Sequence, residues 1–271
     1  CGFRERDVVA YIIFRSKQGV SESQLKQVLS VIALICDVCG FESPSGSPVV
    51  VNVKKAIVKE ANRGKRKAER IGMTKSKLLK IFDSCYKEDF TKVEPERRRF
   101  LLMKTFCFLG TKRFDDIQKL KKKDVVVGED NRVKVWMERS KTDSRREGCQ
   151  FVLTKGRIGS VSVTALIRWY LESLGDISEE AFIFPVFRGG KAVEGQAVSY
   201  CAARKQLLKE RELLGLGGVT WHSGRIGGAT EASKKGVSRS VIMRGGGWRS
   251  SAVDSYIRVE DAGVQMGDAL L

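Results

Sequence analysis

The one histidine of the chain, His222, stands three residues before Arg225 in the run TWHSGRIGGAT. On a helix that spacing puts both side chains on one face. By itself the pair better describes a buried imidazole bonded to a carbonyl beside a surface arginine. Further stretches change its weight. GTKRFDDIQKL carries Arg113 just after an apolar run, with Asp116 three positions on and Leu120 seven on. SKTDSRREG places Lys141 at the end of a strand-like run, at the mouth of a charged hairpin. IMRGGGWRSSAVDSYIRV brings Trp248 and, eight residues later, Tyr256. Two arginines, a lysine, a histidine, a tryptophan and a tyrosine in this order are the components of phosphodiester transesterification without a metal. Gly224, Gly227 and Gly228 lower helix propensity by about 1 kcal/mol each relative to alanine. That cost is expected where something bulky, such as a DNA phosphate, approaches the backbone.

Together GTKRFDDIQKL, SKTD, HSGRIGGAT and GGWRSSAVDSY resemble the tyrosine recombinases, the phage-integrase-like family. The resemblance runs from about residue 95 to 258, and the helical part before it resembles that family's core-binding domain. The GxxRF pattern, SKTD and the Trp-to-Tyr gap look most like recombinases of eukaryotic mobile elements, Crypton transposons and DIRS-like retroelements. The resemblance implies that Tyr256 attacks the scissile phosphorus, leaving a 3′-phosphotyrosine and a free 5′-hydroxyl. A phenol with a pKa of about 10 needs its proton removed at neutral pH, and His222 either helps there or hydrogen-bonds the phosphate. Arg113 and Arg225 would hold the two non-bridging oxygens, for which the guanidinium fork is shaped. Lys141 would protonate the leaving 5′-oxygen. Trp248 occupies a position where many family members carry a second histidine, and its indole N–H can donate to a phosphate oxygen. Asp116, where glutamate is commoner, would orient an arginine.

These residues need elements to hold them. Ser21-Glu22-Ser23-Gln24 reads as a capping box that opens a helix closed by Gly40, and a second helix runs from Val49 to Arg63. Thr74 caps a third, carrying Leu78, Ile81, Phe82 and Cys85. From about Pro95 to Leu109 the chain is heavily apolar and reads as a buried helix, followed by a short helix near Arg113. DVVVG, RVKVWMERS and CQFVLT read as strands. Helices resume with SVTALIRWYLESLG, and a long one runs through Ser199 to Leu214. The expected fold is α+β and mostly helical. It has a helical core-binding, DNA-binding domain over 1–90 and a mixed α/β catalytic domain over 91–271 with a small antiparallel sheet and a C-terminal tail.

Composition agrees with a DNA partner. Fifty Lys and Arg against 32 Asp and Glu give a formal charge of +18 over 271 residues, which favours a polyanion. At 42% apolar residues there is ample material for a core, so disorder is a poor reading. No run of about eighteen apolar residues points to a membrane. The seven cysteines are odd in number and scattered, which fits a reducing compartment better than a disulfide framework. Cys36 and Cys39 lack the second pair a zinc site would need. The start, CGFRERD, carries no signal peptide and lacks a methionine, suggesting a piece of something longer. No metal and no cofactor are expected, since neither a paired-carboxylate cluster nor a Walker loop appears.

Basic residues crowd the stretch from 54 to 123: Lys54 and Lys55, then Lys65, Arg66 and Lys67, Lys75 and Lys77, ERRRF and KLKKK. With few acids nearby they read as the backbone-gripping surface of a two-domain clamp, joined by Arg145 and Arg146. The run at Lys65 to Lys67 also suits nuclear targeting. The expected partners are double-stranded DNA and further copies of the chain, as a dimer or a synaptic tetramer, with no membrane. The tail after Ile257 packs either on a neighbouring subunit or on its own core. Two rivals remain: a type IB topoisomerase, which shares the chemistry, and a domesticated DNA-binding protein that has lost catalysis.

Overall fold

The structure is a computed structural model and describes residues 2–64, 70–86, 92–138, 147–153, 156–159 and 161–257. The chain divides into two compact units, Cys1–Glu69 and Arg70–Leu271. Among its described residues the first holds three α-helices, α1 (Glu5–Lys17), α2 (Glu22–Val38) and α3 (Pro48–Asn62). At α2 the expected capping box forms: Ser21 Oγ accepts from Gln24 N at 3.3 Å and Gln24 Oε1 accepts from Ser21 N at 2.9 Å. Ser47 Oγ caps α3 by accepting from Val50 N at 3.2 Å, with proline at the helix's first position. Val8, Ile12, Leu25, Leu29, Ile32, Cys36 and Val50 form the core. The sequence gives little warning of α1, because apolar residues run all round it and only Val8 and Ile12 are buried.

The second unit begins with α4 (Lys75–Tyr86) and α5 (Pro95–Leu109). Thr74 Oγ1 caps α4, accepting from Lys77 N at 3.2 Å. The apolar side of α4 (Leu78, Ile81, Phe82, Cys85) joins the large core built around α5. This helix was grouped by sequence with the domain over 1–90, and it packs in the second unit instead. Periodicity shows that a helix has an apolar face, not which neighbour covers it. Next come α6 (Phe114–Ile117) and strands β1 (Val125–Val127), β2 (Val133–Met137) and β3 (Cys149–Leu153), which pair as one antiparallel sheet. A small hairpin, β4 (Arg157–Ile158) and β5 (Val161–Ser162), leads into α7 (Val163–Glu172). A second hairpin, β6 (Pro185–Arg188) and β7 (Lys191–Ala197), precedes α8 (Tyr200–Leu214). The last elements among the described residues are α9 (Trp221–Lys234), α10 (Arg239–Gly246) and a 3-10 turn, Ser251–Ser255. No helix among the described residues is long and apolar enough to cross a membrane.

The glycines of the HSGRIGGAT run lie inside α9, and their reason is not the one expected. They face the protein interior. A Cβ at Gly224 would sit 2.8 Å from Cys107 Cβ, one at Gly227 1.8 Å from the Met73 carbonyl oxygen, and one at Gly228 1.9 Å from the Phe108 carbonyl oxygen. Missing side chains let the backbone of α9 press on α5 and on the segment at Met73, whose N–H donates to the Ser223 carbonyl at 2.8 Å. Backbone cannot give way as a side chain would. Gly228→Ala should therefore lower the unfolding free energy by about 3 kcal/mol in a urea titration. Gly217→Ala, where an added methyl meets nothing within 4 Å, should change it by about 0.5 kcal/mol or less.

A buried lysine ties the same two helices. Lys104 on α5 is fully buried, and its Nζ donates to the Thr220 carbonyl at 2.9 Å and lies 4.1 Å from the Trp221 ring centroid. Burial pulls its pKa down to about 7, with Cys107 opposing. Since the folded value lies below the unfolded one, the unfolded chain holds more protons between them, and stability rises with pH from about 7 to 10. Lys104→Met removes that titration. Its stability relative to the wild type should fall by roughly 4 kcal/mol between pH 6 and pH 10, read from urea titrations at each pH.

Candidate active site

Arg225 is fully buried, with no exposed surface. Its Nη1 donates to the Thr111 carbonyl at 2.5 Å and to the Gly246 carbonyl at 2.8 Å. Nε and Nη2 are buried and meet no protein acceptor at hydrogen-bonding geometry. The guanidinium carbon lies 3.6 Å from the Trp248 ring centroid and 5.2 Å from that of Tyr256, an arrangement that holds the plane of the group by cation–π contact. Burial lowers its pKa to about 10, and the Arg113 charge adds to this while Tyr256 and Asp116 oppose it. At neutral pH it stays charged.

The carbonyl that Arg225 takes from Thr111 has a conformational origin. Thr111 has φ of 49°, a left-handed backbone that a β-branched residue rarely adopts. Strain of this kind persists only where its surroundings enforce it. Here it turns the chain between α5 and α6, and Arg113 follows two residues on as the N-cap of α6. Asp116 Oδ2 accepts from the Arg113 N–H at 3.1 Å and lies 3.6 Å from its Nη1. The aspartate is thus long enough to reach the arginine.

His222 is the second residue of α9 and half-buried, its ring centroid 5.1 Å from that of Tyr256. Burial, then the charges of Arg225, Arg70 and Arg113, bring its pKa down to about 4. The imidazole is neutral at pH 7, and its Nε2 is buried without a protein partner. Trp248 follows the left-handed Gly247 that ends α10. It packs with Ala229, Ile242 and Val253, its Nε1 is buried without a partner, and its ring centroid lies 5.1 Å from that of Tyr256. Tyr256 ends the 3-10 turn, and its carbonyl accepts from Thr230 Oγ1 at 3.1 Å. The phenol ring is therefore bordered by a neutral imidazole, an indole and a guanidinium. The three residues that border it carry four buried N–H or N groups without a hydrogen-bond partner: Arg225 Nε and Nη2, Trp248 Nε1 and His222 Nε2. Buried donors left unpaired cost about 1–3 kcal/mol each, and a tetrahedral anion with several oxygens is the ligand that suits them.

Of the residues expected from sequence, the structure brings together Arg113, Asp116, His222, Arg225, Trp248 and Tyr256. Lys141, Arg145, Arg146, Lys65, Arg66 and Lys67 lie outside the described residues, as does the tail from 258. Lys54 and Lys55 lie on α3, and Lys75 and Lys77 on the first turn of α4. Two basic clusters must be corrected, because the chain itself uses them. Arg97 Nε lies 3.4 Å from Glu210 Oε1. Arg98 donates to the Val93 carbonyl at 2.6 Å, and Arg99 is buried and donates to the Pro185 carbonyl. Lys121 and Lys123 pair with Glu180, and Lys122 with Glu179. The balancing acids are far off in sequence, which is why the surplus looked unanswered. Sequence reasoning also missed Thr111, Lys112 and Arg70. Only Lys112 carried a signal, its place directly before Arg113.

No family model matches the chain. In sequence it is similar to Recombinase cre of Escherichia phage P1, 23% identical over 278 residues that cover 94% of this chain and 76% of that protein. Among solved structures it is similar to the Tn1549 transposon integrase in complex with transposon right end DNA, with a TM-score of 0.62 and 10% identity over 99% of this chain and 86% of that one. It is also similar to the XerH site-specific recombinase bound to difH substrate after cleavage, with a TM-score of 0.56 and 14% identity over 93% of this chain and 70% of that one. A lambda integrase dimer bound to a COC′ core site matches with a TM-score of 0.53 and 15% identity, over 94% and 77% of the two chains. These structural likenesses establish the fold.

Proposed function

From its likeness in sequence to a recombinase and in fold to recombinases and an integrase, we propose that the chain is a tyrosine recombinase, a site-specific recombinase or integrase working through a covalent bond between DNA and Tyr256. One observation carries the reading: the Tyr256 ring lies 5.1–5.2 Å from His222, Trp248 and the Arg225 guanidinium, among donors that have no protein partner. Tyr256 Oη attacks the phosphorus and loses its proton, and the bond from phosphorus to the 5′-oxygen breaks. The products are a 3′-phosphotyrosine and a 5′-hydroxyl. His222, neutral and beside the phenol ring, either takes the phenolic proton as the new bond forms or hydrogen-bonds a phosphate oxygen. Arg225 and Arg113 hold the non-bridging oxygens, Trp248 donates its indole N–H, and Asp116 orients Arg113. Lys141 supplies the proton to the leaving oxygen. The phosphodiester energy stays in the covalent bond, so attack by another strand's 5′-hydroxyl rejoins DNA without a nucleotide cofactor.

The DNA partner is a duplex gripped through its backbone by the helical unit and the catalytic unit. Lys54, Lys55, Lys65, Arg66, Lys67, Lys75, Lys77, Arg145 and Arg146 are the proposed contacts. Affinity then falls steeply with salt, by about 0.9 in log K per log unit of salt for each phosphate neutralised. Recombination joins two duplexes, so the working form is a dimer or synaptic tetramer on DNA. The motifs GTKRFDDIQKL and SKTD and the Trp248–Tyr256 spacing support a recombinase of a eukaryotic mobile element, acting in the nucleus.

The test separates recombination from relaxation. Two differently labelled pools of randomised duplex DNA, mixed with the protein, should yield joint molecules carrying both labels. Relaxation of supercoiled plasmid with no joint molecules would indicate a topoisomerase, and binding with neither product a non-catalytic DNA-binding protein.

A further inference from the structure

Lys112 precedes Arg113 directly, yet its side chain is buried, with 1% exposed. Its Nζ donates to the Gly245 carbonyl at 2.8 Å and lies 4.7 Å from the Phe151 ring centroid. Gly245 is in the last turn of α10, and the next carbonyl, that of Gly246, accepts from Arg225 Nη1 at 2.8 Å. Two cations from different segments therefore hold neighbouring carbonyls at the end of the helix where its dipole is negative. Gly247, left-handed at φ 68°, then turns the chain into Trp248. The indole lies so close behind that turn that a Cβ at Gly246 would come 1.8 Å from its ring. Any shift of the last turn of α10 must move Trp248 and the Arg225 guanidinium stacked on it.

We propose that Lys112 is a positioning residue for DNA cleavage: by fastening the Gly245 carbonyl, it fixes the end of α10 so that Arg225 and Trp248 keep their orientation around Tyr256. The inference rests on the recombinase reading. Several groups bear on the ammonium. Burial acts most strongly against its charge, helped by Arg225 on α9 and Arg113 on its own segment; Cys149 on β3 and Asp116 on α6 favour it, and its pKa comes down to about 8. From α10 it meets the Gly245 carbonyl. As pH rises through that value the ammonium becomes an amine, a weaker donor, and the fastening loosens.

The test compares wild type, Lys112→Arg and Lys112→Met as full chains, using a pool of randomised nicked duplexes. It measures covalent adduct formation from pH 6.5 to 9.5, binding of the same pool, and amide hydrogen exchange over 239–249. Lys112→Met is expected to form adduct about 10-fold more slowly or worse at pH 7, with binding within about twofold and faster exchange over 239–249. Lys112→Arg keeps its charge, so its rate relative to wild type should climb above about pH 8. Adduct formation by Lys112→Met within about threefold of wild type at every pH, with unchanged exchange, would overturn the proposal. Should Lys112→Met fail to fold, a constant ratio of Lys112→Arg to wild type across the pH range overturns it. If wild type itself forms no adduct, the recombinase reading fails separately. Exchange then judges Lys112 alone: faster in Lys112→Met supports the fastening, and unchanged exchange removes it.

Discussion

Tyr256→Phe is expected to bind DNA as the wild type does and to cut none of it, with strand cleavage reduced on the order of 10⁴-fold or more. The substitution removes one oxygen. It keeps the ring, whose contacts are with His222, Trp248 and the Arg225 guanidinium, so the fold and the pocket survive. On the proposed reading affinity rests on phosphate contacts spread over many basic residues, so it should stay within about twofold. The measurement is single-turnover cleavage of a pool of randomised nicked duplexes, run beside a gel-shift titration of the same pool. Residual cleavage close to the wild-type rate would mean that the nucleophile lies elsewhere.

Arg225→Lys should slow cleavage about 10²- to 10³-fold, equivalent to about 3–4 kcal/mol of transition-state stabilisation, with binding little changed. Charge is kept, so the loss isolates geometry. The guanidinium spends Nη1 on the Thr111 and Gly246 carbonyls and still has Nε and Nη2 to offer. A single ammonium cannot hold two carbonyls and also present a planar pair of donors to a phosphate. It also gives up the close stacking on Trp248, 3.6 Å from guanidinium carbon to ring centroid. The same single-turnover assay reads this variant. A loss below about fivefold would show that Arg225 serves as a point charge and not as a fork.

The chemistry was more legible in the sequence than the architecture around it. Spacing put His222 and Arg225 on one helix face, and the family resemblance supplied Trp248 and Tyr256, whose ring centroids the structure sets 5.1 Å apart. Capping residues likewise marked α2 and α4, because Ser21 and Thr74 do act on the N–H groups of the first turns. The glycines of α9 were read for their cost and given the wrong beneficiary: sequence reports weakened helix propensity, and only the packing shows Cys107, Phe108 and Met73 pressing on that face. Thr111 was invisible because its contribution is a carbonyl and a backbone angle, for which its residue type gives no sign. Lys112 was hidden among fifty basic residues. The arginines of ERRRF and the lysines of KLKKK misled for the related reason that Glu210, Glu179 and Glu180 are remote in sequence.

The central claim is that Tyr256 carries the DNA. The most direct measurement is mass spectrometry of the adduct trapped on nicked duplexes, after digestion with trypsin and nuclease. A nucleotide joined through its 3′-phosphate to Tyr256, in the peptide that runs from 250 to 258, is the predicted result. Attachment to any other residue, linkage through a 5′-phosphate, or no adduct from the wild-type protein would contradict the account.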